Sequence, residues 1–355
     1  MPHVVDARGL RCPLPLVRAR QALAALAREE TLVVLATDPE APIDLAALAA
    51  DVGRGFVARR DGEEWRLELA PSTVAGIDVG GSGIRLRVGD AVLACPRGGG
   101  GLLDELRAIW PGEPVAAVVV GLAGLITLTD DAERLQRDLA ALCGTPAVLL
   151  ASDVLTSHAG ALGLTPGVVV AAGTGAVALG TDLRECWVRG DGWGHLLGDD
   201  GSGAWIGAAG LRAALRAHDG RAGGSHALLE RLIARFGPPE TLPAQLYPHR
   251  DAARRLAAFA PDVAAADPGI VAEAGRRLAT TARAALDPRL PRRVSWAGGL
   301  WRLPGLLPAF QDELADVELV PPRGDALDGA VALARLALAD PARLPANREY
   351  LRSPA

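Results

Sequence analysis

The chain has 355 residues, of which 50% are hydrophobic and only 4% aromatic, so its apolar content is mostly Ala, Leu and Val, which suits helices and buried strands. This length predicts about two domains with room for a substantial core. All 37 basic residues are Arg, which excludes chemistry that needs a Walker, Schiff-base or protein-kinase lysine, and a net charge of −5 with no basic stripe excludes a general nucleic-acid-binding role.

Residues 1–70 predict a small two-layer α/β domain. Apolar runs, helical spacing after Cys12 and a hairpin signal at Asp61-Gly62 give the order β-α-β-α-β-β. The predicted elements are strand Val4–Val5, a helix through Leu16, Leu23, Leu26 and Ala27, strand Leu32–Ala36, helix Asp44–Val52, and strands Phe56–Arg60 and Trp65–Leu69. Residues 70–73 are expected to be a linker, because Pro, Ser and Thr interrupt the pattern there.

Residues 74–340 predict a second, larger α/β domain, and the Pro-rich residues 341–355 predict a tail. A strand, a glycine turn and a second strand occur at 74–88 and again at 168–180, which predicts two similar lobes with a cleft between them. The predicted strands are Val74–Val79, Ile84–Val88, Ala91–Cys95, Val115–Val120, Ala147–Leu150, Gly167–Ala172, Ala176–Gly180 and Val294–Gly299 with its turn. The predicted helices are Leu102–Ile109, Asp131–Leu142, Ala204–Ala217, His226–Phe236, Asp251–Phe259 and Gly269–Leu286.

The cysteines and the apolar runs indicate a cytoplasmic protein. No two of the four cysteines have CxxC spacing, so a zinc ribbon or dithiol motif is unsupported. The first residues lack the pattern of a secretory leader, and the longest apolar runs are too short to cross a bilayer, so no membrane partner is expected.

Two glycine turns predict a phosphate-binding site. Gly80, Gly81 and Ser82 join two strands, and Thr174 and Gly175 join two others, so neither turn is a Rossmann fingerprint or a P-loop. Tight glycine hairpins aim several backbone N–H groups at one place, which suits phosphate oxygens, and the two hydroxyls would add donors. Each turn alone is also explained as an ordinary hairpin.

Two aspartates follow or end predicted strands near these turns. Asp78, just before the first turn, could hold Mg²⁺ through water. Asp153 follows a buried strand, so its carboxylate is expected at the edge of the sheet where ligands bind, and it could accept a proton from an attacking hydroxyl.

The order of these motifs resembles the BadF/BadG/BcrA/BcrD ATPase and N-acetylglucosamine kinase family of the actin/hexokinase/Hsp70 (ribonuclease-H-like) superfamily. The similar segments are GIDVGGSGIR at 76–85, ASDVLTSHAGAL at 151–162, AAGTGAVALG at 171–180, GWGHLLGDDGSGAWIG at 192–207, SWAGGLWR at 295–302 and ALDGAVALAR at 326–335. The segment at 192–207 is the most specific of these, because it is close to the family block GGWG-x-x-x-GDEGS-x-x-WIG. The resemblance covers about three quarters of the chain.

This resemblance implies a two-lobed kinase domain that uses ATP and Mg²⁺, and it implies a role for each matching residue. Asp78 would organise Mg²⁺, and Asp153 would be the general base. The ATP phosphates would lie against Gly80, Gly81, Ser82, Thr174 and Gly175, and adenosine against Gly298 and Gly299. Trp193 and Asp199 would line a sugar pocket, since a carboxylate binds hydroxyls and an indole face covers C–H groups. A packed core position is the alternative for Trp193.

The acceptor is expected to be a sugar or amino sugar, but one contact of the family is missing. Its sugar kinases usually carry an Asn after the third strand, where this chain has residues 96–101, PRGGGG. The only Asn is Asn347, in the predicted tail, so the resemblance does not specify N-acetylglucosamine. Many such kinases are dimers, so a homodimer is also expected.

Cys12 carries a second motif, in the run DARGLRCPLP at 6–15. We expect Cys12 near the N-cap of the first helix with Pro13 at N1, where the helix end and Arg11 would favour the thiolate. A buried, unreactive thiol is the alternative. Cys95, Cys143 and Cys186 lack such a setting and are predicted to be core or incidental.

Residues 1–70 resemble the TusA/SirA sulfur carriers, whose signature is Cys-Pro-x-Pro. The resemblance implies a persulfide on Cys12, received from a cysteine desulfurase or similar donor and passed to an acceptor protein. The leading hypothesis is therefore a sugar kinase fused to a sulfur carrier. Two alternatives are an ATPase that activates a partner through a bridging iron–sulfur cluster, and a nucleotide-dependent scaffold that controls access to Cys12.

Overall fold

The computed structural model describes residues 2–27, 30–52, 54–98, 100–113, 115–125, 132–249 and 251–354. Some sequence predictions touch positions outside these ranges, among them Gly53, directly after the predicted helix Asp44–Val52, Gly99 in the glycine-rich loop, and the start of a helix at Asp131.

The N-terminal part of the chain forms a four-stranded sheet with two helices, in the order that the sequence predicts. Strand β1 runs parallel to β2, whereas β2, β4 and β3 pair antiparallel in that spatial order. Alternating side chains of β2 and β4 form the core with α2, including Leu32, Leu45, Leu67 and Leu69. The elements are β1 (His3–Ala7), α1 (Leu14–Ala25), β2 (Leu32–Ala36), α2 (Ala41–Asp51), β3 (Arg54–Asp61) and β4 (Glu64–Pro71).

The next part of the chain builds a six-stranded sheet. Strands β5, β6 and β7 form an antiparallel meander, and β8 and β9 continue the sheet parallel to β5. Strand β8 is buried along its whole length and reads as a continuous apolar run, as expected for a central parallel strand. The elements are β5 (Val74–Val79), β6 (Gly83–Val88), β7 (Ala91–Pro96), α3 (Leu102–Ile109), β8 (Ala117–Leu122), α4 (Ala132–Cys143), β9 (Val148–Ser152) and α5 (Asp153–Leu162).

A five-stranded sheet then repeats this plan. Strands β10, β11 and β12 form a second antiparallel meander, and β13 and β14 continue it parallel to β10. The two sheets therefore share one strand order, as the repeated strand–turn–strand pattern predicts. The strands are β10 (Gly167–Ala172), β11 (Ala176–Thr181), β12 (Trp187–Asp191), β13 (Arg293–Ala297) and β14 (Glu318–Leu319).

The remaining described helices follow β12 in the chain, and all but the last of them cover the second sheet. They bury a large apolar cluster that includes Phe259, Leu278 and Phe310. They are α6 (Gly203–His218), α7 (His226–Phe236), α8 (Leu242–Leu246), α9 (Ala252–Ala257), α10 (Ala260–Ala266), α11 (Pro268–Ala284), α12 (Leu306–Asp312) and α13 (Ala326–Ala339), with short 3₁₀ turns at Pro239–Thr241, Gly299–Arg302 and Pro341–Arg343. In the part of the chain with described coordinates, no helix combines the length and the apolar character that crossing a bilayer requires.

Helices α5 and α13 cross at very close range. A Cβ atom on Gly160 would collide with the carbonyl of Asp325, and one on Gly329 would collide with the carbonyl of Thr156. The two glycines thus let the helix backbones come into contact. Helix α13 also buries Ala330 and Leu333 in an apolar cluster shared with β8 and β9.

The segment after residue 341 is not the free tail that its composition predicts. Leu351–Arg352 forms β15, which pairs antiparallel with β9, and the Tyr350 ring stacks on Trp187 at 5.0 Å. Tyr350 and Leu351 are buried. Apolar packing of two residues therefore fixes a segment that its proline content suggested was unstructured.

Candidate functional site

The two predicted glycine turns approach each other from different sheets. Gly80, Gly81 and Ser82 connect β5 to β6, and the second turn connects β10 to β11. A Cβ atom on Gly81 would lie 3.5 Å from Oγ1 of Thr174, so the two turns are in near contact. Both Gly81 and Ser82 are exposed, and Thr174 is half-buried. The structure therefore brings the two turns together from separate sheets.

The second turn is fixed by the start of helix α6. The N–H of Gly203 donates to the Gly173 carbonyl at 2.9 Å, and the N–H of Ala204 donates to the Thr174 carbonyl at 3.0 Å. These are N–H groups of a first helical turn, which have no partner inside the helix. On its other side, Gly175 is so close to Asp199 that a Cβ atom would lie 2.7 Å from Oδ2.

Gly298 and Gly299 lie beside the second turn. They follow β13, which pairs with β10, and both are exposed. Gly298 has φ of +103°, and a Cβ atom there would collide with the carbonyl of Ala172 at the end of β10. Only glycine suits both the positive φ and the lack of space for a Cβ atom. The structure thus places the three glycine turns of the sequence prediction around one region.

Asp153 is the first residue of α5, directly after β9, with Ser152 as the N-cap. Its Oδ1 accepts the N–H of Val154 at 2.9 Å. The pKa of Asp153 is raised to about 6, chiefly by burial and also by the charge of Asp78, while the Val154 hydrogen bond and Arg189 oppose the shift. The strand register places Asp153 at the same end of the sheet as Asp78, because Asp78 pairs with Gly121 and Gly121 with Ala151. A carboxylate with this pKa is suited to accept a proton near neutral pH.

Asp78 has a counter-ion that the sequence analysis did not single out. Arg85 donates to Oδ2 of Asp78 through Nη2 at 2.6 Å and Nε at 3.1 Å, and it also pairs with Asp325 at 2.5 Å. The two residues are cross-strand neighbours in the β5–β6 register. This pair could have been predicted, because both residues lie the same distance from the turn of a hairpin.

The residues present are compatible with Mg²⁺. Asp78 offers hard oxygen ligands next to the first turn, and Asp153 is a second carboxylate nearby. The described residues contain no group of three or more His, Cys, Asp or Glu side chains that could hold a metal by themselves. Mg²⁺ usually binds one or two carboxylates and takes its other ligands from phosphate and water.

Trp193 and Asp199 stand at two ends of one loop. Trp193 is 68% exposed, with the Arg189 guanidinium 4.9 Å from its ring centre, so it is not a packed core aromatic. Asp199 is buried and accepts N–H bonds from Gly194, at 3.2 Å, and from Ala176. Burial raises the pKa of Asp199. Of the two, only Asp199 reaches the second glycine turn directly.

Asp191 and Arg189 were not predicted, yet they organise this loop. The Asp191 carboxylate accepts the N–H of Asp199 at 2.8 Å and of Asp200 at 2.7 Å. The Arg189 guanidinium donates to the carbonyls of Asp191 and Gly192. Strand β12, which carries both, was not predicted either, because its Arg and Gly hide the strand pattern.

Cys12 is exposed on the N-terminal domain, but its surroundings differ from the prediction. Helix α1 begins at Leu14, with Pro13 as the N-cap, so Cys12 precedes the helix. The thiol donates to Oδ2 of Asp44 at 3.0 Å, and the Cys12 N–H donates to Asp38 at 2.5 Å. The expectation of a stabilised thiolate is wrong: the Asp44 hydrogen bond, desolvation and neighbouring acids raise the Cys12 pKa to about 11.

The other cysteines have structural positions, as predicted. Cys143 and Cys186 are buried and Cys95 is half-buried. Burial raises the pKa of Cys143 to about 12. Cys95 and Cys143 belong to the core of the six-stranded sheet, whereas Cys186 precedes β12 of the other sheet.

Comparison with known proteins gives two family matches. The family model of sulfurtransferase TusA matches residues 3–70, and that of the BadF/BadG/BcrA/BcrD ATPase family matches residues 112–319, more than half of the chain. The sulfur carrier protein TusA of Allochromatium vinosum is 39% identical over 57 residues, which are 16% of this chain and 75% of that protein.

The larger part resembles kinases of amino sugars. An N-acetylmuramic acid/N-acetylglucosamine kinase of Clostridium acetobutylicum is 32% identical over 124 residues, which are 35% of this chain but only 40% of that kinase. The crystal structure of a candidate N-acetylglucosamine kinase from Chromobacterium violaceum has a TM-score of 0.57 at 29% identity, covering 74% of this chain and 99% of that one. The fold class is therefore the two-lobed, actin-like one that the sequence predicted.

The two glycine turns, the matched segment and the shared fold lead to one conclusion: the chain belongs to the BadF/BadG/BcrA/BcrD ATPase family and carries a TusA domain at its N-terminus.

Proposed function

We propose that residues 74–340 transfer the terminal phosphoryl group of ATP to a sugar hydroxyl, and that residues 1–70 carry sulfur as a persulfide on Cys12. The observation that carries the kinase proposal is the near contact of Gly81 with Thr174. Asp78 and Asp153, the candidates for the metal ligand and the general base, are close by. The similarity to amino-sugar kinases supports the sugar as acceptor.

The glycine turns would bind the ATP phosphates from two sides. Backbone N–H groups of Gly81 and Gly175, with the hydroxyls of Ser82 and Thr174, would supply preorganised donors without side-chain bulk. The Gly80 N–H donates to the Gly83 carbonyl at 3.0 Å, so Gly80 would contribute by closing the turn and not as a phosphate donor. Asp78 would hold Mg²⁺, which neutralises phosphate charge when it is bound. The exposed backbone at Gly298 and Gly299 leaves room for adenosine beside the second turn.

Asp153 would act as the general base. As the sugar oxygen bonds to the terminal phosphorus, the bond from that phosphorus to the bridging oxygen breaks, ADP leaves, and the hydroxyl proton passes to the Asp153 carboxylate. The raised pKa of about 6 suits this role. Asp199 would accept a hydrogen bond from a sugar hydroxyl, and Trp193, on the same loop, would cover C–H groups.

The sulfur carrier would use the exposed Cys12 thiol. Its sulfur attacks the outer sulfur of a donor persulfide, such as one on a cysteine desulfurase, and the donor leaves as a thiolate. Asp44, which already accepts the thiol hydrogen bond at 3.0 Å, is placed to take the proton. An acceptor protein then removes the sulfur. Mass spectrometry should show one added sulfur atom on wild type and none on Cys12→Ser.

The kinase proposal is tested by ADP release with MgATP and a panel of N-acetylglucosamine, N-acetylmuramic acid, glucosamine and glucose. Wild type is expected to turn over with at least one sugar, and Asp153→Asn should lose about 10²- to 10⁴-fold in kcat while still binding ATP. Asp104→Asn, on the exposed face of α3, is the matched control and should keep full activity. Full turnover by Asp153→Asn would refute the assignment.

A further inference from the structure

The carboxylate of Asp191 makes an unusual set of backbone contacts at the end of β12. Its Oδ1 accepts the N–H of Asp199 at 2.8 Å and lies 3.5 Å from the N–H of Trp193, and its Oδ2 accepts the N–H of Asp200 at 2.7 Å. Asp191 has φ of +60°, a conformation that few side chains adopt. The carboxylate therefore joins the two ends of residues 192–198, called here the Trp193 loop.

Arg189 closes the Trp193 loop from its other side. Its Nε donates to the Asp191 carbonyl at 2.9 Å, Nη2 donates to the Gly192 carbonyl, and the guanidinium lies against the Trp193 ring. Gly198 lies so close to Asp191 that a Cβ atom would collide with Oδ1. The loop is thus tied at both ends to β12, although Trp193, Leu196 and Leu197 are exposed.

The same carboxylate connects β12 to the second glycine turn through Asp199. Asp199 also has a positive φ, of +55°, and its side chain accepts from Gly194 and Ala176 and packs against Gly175. The backbone N–H of Asp199 is held by Asp191 at 2.8 Å. The orientation of Asp199 beside the second turn therefore depends on a charged group that does not itself touch that turn.

We propose that Asp191 is a positioning residue that holds Asp199 and the Trp193 loop against the second glycine turn, and so sets the affinity for the acceptor sugar. This inference rests on the proposed kinase function. Asp191 acts through Asp199, so its loss should weaken acceptor binding more than it slows phosphoryl transfer at Asp153 or changes ATP binding.

Asn is the informative replacement, because its amide keeps the shape but offers one acceptor oxygen instead of two. One of the two short N–H contacts would then face an NH₂ group. Asp191→Gly is the second variant: it removes the carboxylate, and glycine suits the positive φ. It replaces the Asn variant in every assay if that protein does not fold.

Asp182 provides a matched control at the opposite end of β12. Its Oδ1 accepts the backbone N–H groups of Arg184, Glu185 and Cys186 at 2.8–2.9 Å, so it fixes a turn of the same sheet in a similar way. Asp182→Asn is expected to keep the acceptor KM of wild type. A rise in KM shared by both variants would indicate general destabilisation and overturn the inference.

Steady-state kinetics with MgATP and N-acetylglucosamine, or the best sugar of the panel, test the binding claim. For Asp191→Asn we expect an acceptor KM raised about tenfold or more, with kcat and the KM for ATP within about threefold of wild type. A normal acceptor KM, or a fall in kcat alone, would overturn the inference.

Hydrogen exchange measured by mass spectrometry tests the geometry without any turnover. Exchange in the peptide 192–201 should be at least about tenfold faster in Asp191→Asn than in wild type and in Asp182→Asn. Equal exchange in all three would overturn the inference whether or not the protein is a kinase. Absence of wild-type turnover with every sugar, combined with faster exchange, would refute the proposed function but support Asp191 as the residue that holds the loop.

Discussion

Cys12 is held as a neutral thiol in the structure, because its hydrogen bond ends on a carboxylate. The sulfur of an unloaded carrier is then a weak nucleophile until Asp44 takes its proton or moves away. Sulfur uptake would be favoured when a donor protein approaches and changes this contact. A raised pKa of this kind should slow the reaction of the exposed thiol with electrophiles.

Removing the charge of Asp44 should make Cys12 more reactive. In Asp44→Asn the Cys12 pKa should fall from about 11 towards the ordinary value, since the main cause of the shift is lost. Alkylation by iodoacetamide at about pH 8 should be roughly tenfold faster or more, followed by peptide mass spectrometry. Asp51→Asn, at the opposite end of α2 from Asp44, is the control. Unchanged alkylation in Asp44→Asn would contradict the assigned cause.

Kinase activity should depend on pH through Asp153. The group must be deprotonated to accept a proton, and its pKa is raised to about 6, so kcat/KM should be highest above that value. Below it, kcat/KM should fall about tenfold per pH unit. A profile measured from about pH 5 to pH 8 checks this, and a flat profile down to pH 5 would contradict the role of Asp153.

At the residue scale, local sequence motifs predicted the positions that carry glycine or end a strand. Asp78 and Asp153 lie at the same end of one sheet, and the first turn, next to Asp78, is in near contact with the second. The role of Asp191 was not predicted, because its hydrogen bonds depend on the path of a loop that returns to it after eight residues. The prediction of a stabilised Cys12 thiolate was wrong because the carboxylate that contacts the thiol, Asp44, lies on another helix.

Helices α5 and α13 bring the two sheets together at the element scale. Asp153 begins α5, and Asp325, which pairs with Arg85, caps the start of α13. The N-termini of both helices are thus connected to the candidate site. Close packing at Gly160 and Gly329 fixes the distance between these two N-termini.

A side chain at this crossing should destabilise the protein. In Gly329→Ala the new methyl group would collide with the Thr156 carbonyl, which belongs to a helix and cannot move alone, so we expect a loss of about 3 kcal/mol or more. Thermal or urea unfolding measures this. Gly101→Ala is the control, because its Cβ would have only an ordinary contact with Asp104 at 3.6 Å. Equal stability of the two variants would contradict the close crossing.

Elements with clear periodicity were predicted well, and those without it were missed. Val74–Val79, Gly167–Ala172 and His226–Phe236 agree with the predicted bounds. Helix α5 was missed because every residue from Val154 to Leu162 is buried, so no polar face marks the helix period. Packing on all sides removes the pattern that sequence reasoning uses.

At the scale of the whole molecule, the repeated plan explains how two remote glycine turns meet. Each sheet carries a turn in its first hairpin, between β5 and β6 or between β10 and β11, and the two turns are in near contact. The repeat was visible in the sequence because both copies keep the same strand–turn–strand pattern. How the sheets face each other depends on the α5–α13 contact, which no local pattern encodes.

The account depends most on one nucleotide being held between the two turns. Calorimetric titration of a non-hydrolysable ATP analogue with Mg²⁺ into wild type and Gly81→Val tests this directly, with Gly55→Val on an exposed strand of the N-terminal domain as control. We predict that wild type and the control bind alike, whereas Gly81→Val, whose side chain would fill the space before Thr174, loses about tenfold or more in affinity. Unchanged binding by Gly81→Val would contradict the two-turn nucleotide site.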